Sequence, residues 1–326
     1  MKLLKLVPEE TNIPFLRYRF PAAIFSATMI VLSIGILFFQ GVNKGIDFEG
    51  GILIEVGTQA PADLALFRSA LGGQGFGDVA VQAFGTKNEV LIRIERQPAA
   101  VTEDMSRSEV VKAEQEAQQQ VVRRVQEALE AVMEGLSYRR VEFVGPKVSG
   151  ELVEAGVLAV GVAIGAVLLY IWFRFEWHFG VGAVIALLHD VVLTMGFFSV
   201  IGLEFNLSIV AAILTIVGYS LNDTVVIYDR IRENLRKFRN KPIVDVLNLS
   251  LNNTLSRTIM TSLTTLLALG SLFFFGGAVI KGFTAAMIWG VFVGTYSSVF
   301  IAAPVLLYFK LDRSHMAIGE GAGRNA

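Results

Sequence analysis

The sequence predicts a polytopic α-helical membrane protein, with six transmembrane helices and one folded α+β domain carried between the first two. Three observations predict it. Of 326 residues, 53% are hydrophobic and 17% charged, with a mean hydropathy of +0.57; a soluble chain is nearer about a quarter charged. Six windows reach the roughly 20 apolar residues that a bilayer-spanning helix needs. Between the first two windows the pattern changes, and apolar residues alternate with polar ones as they do in half-buried strands.

The first window, 21–40, follows Lys2, Lys5, Arg17 and Arg19, as a signal peptide would. Its apolar core is too long for a signal peptide. It ends in FFQGVNKG with no A-x-A site nearby, so it is an uncleaved anchor. Within 43–154, GILIEV, DVAVQAF and EVLIRIE alternate as strands do, and YRRVEFV is a fourth, weaker strand. PADLALFRSALG reads as a short helix with Gly at its end. Residues 108–133 form a long amphipathic helix, with Val111, Ala117, Val121, Val125, Leu129 and Val132 recurring at three-to-four spacing. The order β-α-β-β-α-β is the ferredoxin-like arrangement. The domain carries about −6 net charge, which argues against an anionic ligand. The remaining windows are 155–173, 179–201, 207–228, 259–276 and 283–309. The closing GEGAGRNA is expected to be disordered.

Lysine and arginine orient the spans. Basic residues crowd the N-terminal arm (1–20), Arg174, the stretch from Arg230 to Lys241, and Lys310 with Arg313. The opposite connections GLEFN and GGAVIKG hold only Lys281. Both termini and the 229–256 loop are therefore cytoplasmic, and the α+β domain lies outside. Ile231, Leu235 and Phe238 between the charges of 230–241 suit an amphipathic helix at the membrane interface. A net charge of −1 gives no reason to expect nucleic acid. The lack of cysteine excludes disulfides, thiolate catalysis and cysteine-ligated zinc, and three histidines are too few for a His-based metal site.

One stretch, GYSLNDTVVIYDRIREN, places Asp223 inside an apolar run. An ionised carboxylate costs several kcal/mol in hydrocarbon. Asp223 lies seven residues before Arg230, roughly 10 Å along a helix. Ser208, Thr215, Tyr219 and Asn222 share one side of that helix and form a polar stripe expected to face other helices. Arg257 is the only charge between Asp245 and Lys281 and opens the next span, with Thr254, Thr258, Thr261 and Thr265 continuing its face. An acid and an arginine at similar depth can pair, and a pair is cheaper to bury than either alone. Protonating Asp223 would release Arg257 and let the helices shift. The alternative is a static ion pair that sets helix register. Asp190, preceded by His189, reads as a hydrogen-bonded structural acid, with His189 as packing and Asp229 as a cytoplasmic cap. Two glycine-rich joints flank the outer domain: GIDFEGG with Gly45, Asp47, Gly50 and Gly51, and GPKVSGEL with Gly145, Pro146 and Gly150. They are either tight exits from the membrane or transmitters of helix movement. Pro146 favours rigid transmission over a loose hinge.

GIDFEGG, GPKVSGEL and GYSLNDTVVIYDRIREN together resemble the SecD/SecF family of the bacterial Sec translocon, from the first span to the last. Such proteins look like halves of resistance-nodulation-division (RND) transporters, in which two six-helix halves face each other. The resemblance implies an RND-like half that needs a SecD partner. It also implies a multi-pass protein of the bacterial inner membrane with its large loop periplasmic. The implied work is to use the proton-motive force to pull preproteins across after SecA-driven insertion. Asp223 would be the proton-carrying carboxylate and Arg257 its counterpart, supported by Asn222, Asp190, Tyr219 and Thr261. The coupling ion is the proton, with no bound cofactor. Further implied partners are the SecYEG channel, YajC, the unfolded preprotein and membrane lipids.

Three other functions compete. A proton-coupled exporter of lipids or small molecules would need both halves and bulkier outer domains. An intramembrane aspartyl protease built on Asp190 and Asp223 lacks the Gly-x-Gly-Asp element, and Arg257 suits an ion pair better than a shared-proton dyad. A passive subunit that holds the translocon together stays open.

Overall fold

The computed structural model describes residues 11–95, 105–277 and 279–309. Lys2, Lys5, Lys310, Arg313 and the GEGAGRNA tail lie outside the described residues. A 3-10 turn (Phe15–Tyr18) leads into α1 (Arg19–Phe39). The outer domain follows as α2 (Ile46–Glu49), β1 (Gly51–Gly57), α3 (Leu64–Leu71), β2 (Val79–Ala83), β3 (Glu89–Ile94), α4 (Arg107–Glu130) and β4 (Ser137–Val144). Then come α5 (Pro146–Arg174), α6 (Trp177–Ile201), α7 (Leu207–Lys237), α8 (Ile243–Phe275) and α9 (Lys281–Ser297). The chain continues from α9 through a π-helical turn (Ser298–Ala302) into the short α10 (Ala303–Val305). Among the described residues, six helices are long and apolar enough to cross a membrane.

The four strands form one antiparallel sheet in the order β2-β3-β1-β4, so β3 sits between the two strands joined by α3. Alternation puts Ile52, Ile54, Val56, Val90, Ile92 and Ile94 on one face. That face closes on Phe67 and Leu71 of α3 and on Val121, Val125 and Leu129 of α4. The helix starts are well specified. The Asp63 side chain accepts from the Ala65 and Leu66 amides, and Ser106 with Glu109 forms a reciprocal capping box.

In the membrane part, α7 is the central helix, packed against α5, α6, α8 and α9. Its closest neighbour is α9, and small residues explain why. A Cβ on Gly290 would run into the Ile216 side chain, and one on Gly294 would lie 2.9 Å from Ser220 Cβ. Gly290 and Gly294 are four apart on one face, as are Ile216 and Ser220, the small-xxx-small geometry of close membrane helices. By contrast α1, α5 and α8 leave broad apolar faces open, including Val157, Val162 and Leu267.

The basic stretch after span four does not form a separate interfacial helix. α7 runs unbroken to Lys237, and Ile231 and Leu235 are buried in one cluster with Val246 and Leu247 of α8. The apolar residues between the charges thus face a helical partner and not lipid headgroups. With 31 and 33 residues, α7 and α8 extend ~46 and ~50 Å, well beyond the ~30 Å hydrocarbon layer. The N-terminal arm docks on the same hairpin: Asn252 accepts from the Ile13 amide at 2.8 Å and donates to its carbonyl at 2.9 Å, and Asn248 accepts from Leu16 N–H at 3.0 Å. The arm and the α7–α8 turn therefore share one side of the membrane, and the outer domain sits at the other end of α7. A single cysteine replacing Lys237 is expected to react with a membrane-impermeant maleimide only from the cytoplasmic face; reaction from outside would reverse the topology.

Candidate functional site

Asp223 is buried in α7, 3% exposed, and its Oδ2 has no hydrogen-bond partner among the described residues. Arg257 and Thr261, both on α8, are the groups that face its carboxyl electrostatically. Among the described residues, Asp223 and Arg257 are not in direct contact as an ion pair, and Arg257 is exposed on the outside of this chain. Asn222, Thr215 and Ser208 are exposed as well, and Tyr219 is half-buried, its hydroxyl donating to Ser262 at 3.3 Å. The expected polar stripe of α7 therefore does not pack inside this chain. The six helices bury the opposite face of α7, where Ile209, Ile213, Ile216 and Ser220 lie, and leave the stripe and Arg257 open on one side.

Asp190, on α6, is the most connected acid in the bundle. It is 1% exposed. Its Oδ2 accepts hydroxyl hydrogen bonds from Ser220 of α7 at 2.6 Å and Ser297 of α9 at 2.8 Å. Its Oδ1 lies 2.9 Å from His189 Nδ1. One carboxyl thus joins three helices. A second polar layer lies beside it: Thr224 and Ser298 hydroxyls meet at 2.8 Å, and Tyr228 donates to the Ala302 carbonyl at 3.1 Å within the π-helical turn. A π-turn leaves carbonyls without their usual helical donors, and Tyr228 supplies one. Asp229, in the C-terminal part of α7, accepts from Arg174 at the end of α5 at 2.9 Å. Sequence reasoning assigned Asp190 a structural role but missed Ser220, Ser297 and Ser298. The four-residue spacing of Gly290 and Gly294 was the readable signal that α9 comes close enough for them to meet.

The two joint motifs converge. α2, the core of GIDFEGG, packs against the start of α5 in GPKVSGEL. Gly50 has φ +74 and Gly51 φ +121, angles that only glycine adopts readily, and they turn the chain into β1. A Cβ on Gly50 would lie 3.2 Å from the Val144 carbonyl oxygen. β4 passes into α5 through Gly145 alone, with Pro146 at the first helical position. Gly150 lies in the first turns of α5 and is exposed.

GIDFEGG and the residues just before it also meet the outer end of α7. The Gly45 amide donates to the Phe205 carbonyl at 2.8 Å, and Phe205 N–H donates to the Asn43 carbonyl at 2.7 Å. Asp47 Oδ2 accepts from the Leu207 amide, the first of α7, at 2.9 Å. In return the Glu204 carboxylate accepts from Ile46 N–H at the start of α2. Each element therefore caps the other. Burial raises the pKa of Glu204 above the usual range, opposed by Arg93 and the Ile46 amide and reinforced by Asp47 and Glu142. The GLEFN segment read in sequence as a plain connection, so Glu204 and Phe205 were missed. Among the described residues, no three His, Asp or Glu side chains gather as a metal site would require.

Comparison with known proteins agrees with this geometry. The family described as protein export membrane protein SecD/SecF, C-terminal, matches residues 124–312, and the SecD/SecF GG motif matches residues 35–62. A protein translocase subunit SecF from Rhodobacter capsulatus is 46% identical over 317 residues, covering 95% of this chain and 93% of that one. Another of that name from Vibrio alginolyticus is 43% identical over 314 residues, covering 96% and 95%. Among solved structures, SecDF from Thermus thermophilus, described as a translocon-associated membrane protein, superposes with a TM-score of 0.79 at 33% identity. The match covers 93% of this chain and 39% of that one, so this chain spans about two fifths of the SecDF polypeptide.

Proposed function

This chain belongs to the SecD/SecF family of protein-export membrane proteins, and from that premise we propose that it is the SecF-type half of a Sec translocase accessory complex that turns proton flow into movement of its outer domain. The observation that carries the mechanism is the placement of Asp223. It is a buried carboxyl with an unpartnered oxygen, midway along a helix whose outer end is clasped by the outer domain through Asp47. Protonation changes the charge at the centre of α7. The Leu207–Asp47 contact then passes any shift of α7 to α2 and the sheet.

The open side of α7 and α8 supports a second half. Asn222 and Arg257 lie exposed at membrane depth, and polar or charged side chains there face protein or water, not lipid. A SecD-type half on that side would cover them and complete the surroundings of Asp223 and Arg257. We propose a bacterial inner-membrane location with both termini cytoplasmic, where SecYEG, YajC, the unfolded preprotein and lipids are the remaining partners.

One proton crossing 100 mV supplies about 2.3 kcal/mol, and reversing a 1:99 equilibrium takes about 5.5 kcal/mol. Three protons per cycle at ~100 mV therefore suffice. The test is export into inverted membrane vesicles that contain both halves, with and without an uncoupler. Arg257→Leu is expected to lose the uncoupler-sensitive part of export while the complex stays assembled. Export in Arg257→Leu that still responds fully to the uncoupler would refute a proton role for this pair.

A further inference from the structure

We propose that the cleft between the outer domain and the membrane helices holds one phospholipid from the leaflet beside that domain, with an acyl chain laid along α9 and the phosphate set against Lys281. This site lies apart from Asp223 and Arg257, and it does not depend on the proton-driven reading above. The cleft encloses ≈ 700 Å³, within the ~300–1,000 Å³ of small-molecule sites.

Its depth suits one leaflet. Lys281, Ala285, Ile288, Trp289 and Phe292 of α9 all line it, and their spacing puts them on one face of the helix. Lys281 is the first residue of α9. Phe292 is eleven residues further on, ~16 Å at 1.5 Å per residue, about half of the ~30 Å hydrocarbon layer. The lysine thus stands at the boundary, and the apolar lining runs from it to mid-bilayer. Phe274 of α8 and Phe292 also line the cleft and are 78% and 58% exposed. Both belong to membrane spans, so the cleft opens to the bilayer.

The charges are placed for a phosphate at the boundary. Lys281 is the one cation of the lining. Its Nζ lies 5.5 Å from the centre of the Phe273 ring, and it pairs with no carboxylate among the described residues. α9 begins there with no side-chain cap, so its first amides add positive potential at the same point. Glu204, the one acid of the lining, is engaged with the Ile46 amide and Arg93.

An extended polypeptide fits this cleft less well. Every residue of such a chain brings a backbone donor and acceptor that need partners, and the lining has few to give. Asn206 accepts from the Ile209 amide, and Glu204 from the Ile46 amide. On β2, the edge strand that borders the cleft, the Val81 carbonyl accepts from Arg68 at 2.8 Å. An acyl chain makes no such demand.

The test uses tryptophan fluorescence, which bromine quenches on contact. The chain has three tryptophans. Trp289 lines the cleft, and Trp172, 74% exposed on α5, reports bulk lipid. Two variants each keep one of them: Trp172→Phe with Trp177→Phe, and Trp177→Phe with Trp289→Phe. Each is reconstituted with the SecD-type partner in phosphatidylethanolamine brominated in its acyl chains, then extracted in detergent and washed free of bulk lipid. Trp172 is expected to recover its full intensity on washing. Trp289 is expected to stay below half of its intensity in unbrominated lipid. Adding Lys281→Gln should release the lipid and restore Trp289, and brominated diacylglycerol, which has no phosphate, should wash away from both. Co-purification of the partner confirms that each variant is folded. Recovery of Trp289 in step with Trp172 would overturn the site. Retention unchanged in Lys281→Gln would overturn the phosphate contact. A Trp289 that brominated lipid never quenches, but whose emission shifts when an unfolded polypeptide is added, would make the cleft a polypeptide site instead. None of these readouts uses export, so the site and the transport reading stand or fall separately.

Discussion

Asp223→Asn is expected to abolish the proton-driven part of export while leaving the protein inserted, assembled and present at normal levels. Asparagine keeps the shape of the carboxyl and can satisfy the same neighbours, so the buried face of α7 should pack unchanged against α6 and α9. It cannot gain or lose a proton, so the charge at the centre of α7 no longer alternates. The expected size is large because, in the proposed mechanism, the driving force acts through this group. A single proton at 100 mV biases a two-state equilibrium by about 2.3 kcal/mol, or ~50-fold. The measurement is the rate of preprotein export with and without an uncoupler. Wild type slows when the uncoupler is added. Asp223→Asn should run at the uncoupled rate from the start and not respond further. Wild-type export in this variant at normal expression would remove Asp223 from the mechanism.

The second large effect should come from fixing the outer domain against the membrane helices. A cleft of ≈ 700 Å³ lies between them, lined by Gln82, Phe84 and Leu91 of the sheet and by Phe274, Val279 and Trp289 of the helical part. If the domain reorients during the cycle, this cleft must open and close. The chain contains no cysteine, so cysteines placed at Gln82 and Phe274 can be joined selectively by a short cleavable bis-maleimide. Cross-linked protein is expected to export at the Asp223→Asn rate and to recover when the linker is cleaved. Normal export with the linker in place would make the domain a passive spacer. A linker longer than the cleft opening serves as the control, because it tethers without locking.

Much of this architecture was legible because membrane spans and amphipathic strands write themselves locally. The apolar windows located six helices, and strict alternation located β1 to β3. Three features were not legible. The continuation of α7 and α8 past the bilayer was hidden by the charges of residues 229–256, which broke the apolar count although Ile231, Leu235, Val246 and Leu247 already formed a helical stripe. The role of Asp190 depends on Ser220 and Ser297 arriving from two other helices, and a serine in a span gives no sign of where its hydroxyl points. The clasp between Asp47 and the start of α7 joins residues about 160 apart, beyond any periodicity. Asp223 stands out in the sequence for a different reason: a carboxylate in hydrocarbon is costly enough to be conspicuous without knowing its partners.

The direct passage of β4 into α5 constrains how the protein is made. β1 lies between β3 and β4, and its register with β4 begins at Gly51 and Val144, roughly 90 residues apart. At ~5–20 residues per second of synthesis, β1 emerges ~5–18 s before the strand that closes its second edge. Throughout that interval Ile52, Ile54 and Val56 lack their last neighbour, and for most of it they also lack the covering helix α4. In the orientation proposed above, the outer domain can complete its sheet only after the whole segment has crossed, with α5 following at once as the next membrane insertion. On that reading this domain must itself pass through the membrane unfolded, as a translocation cargo.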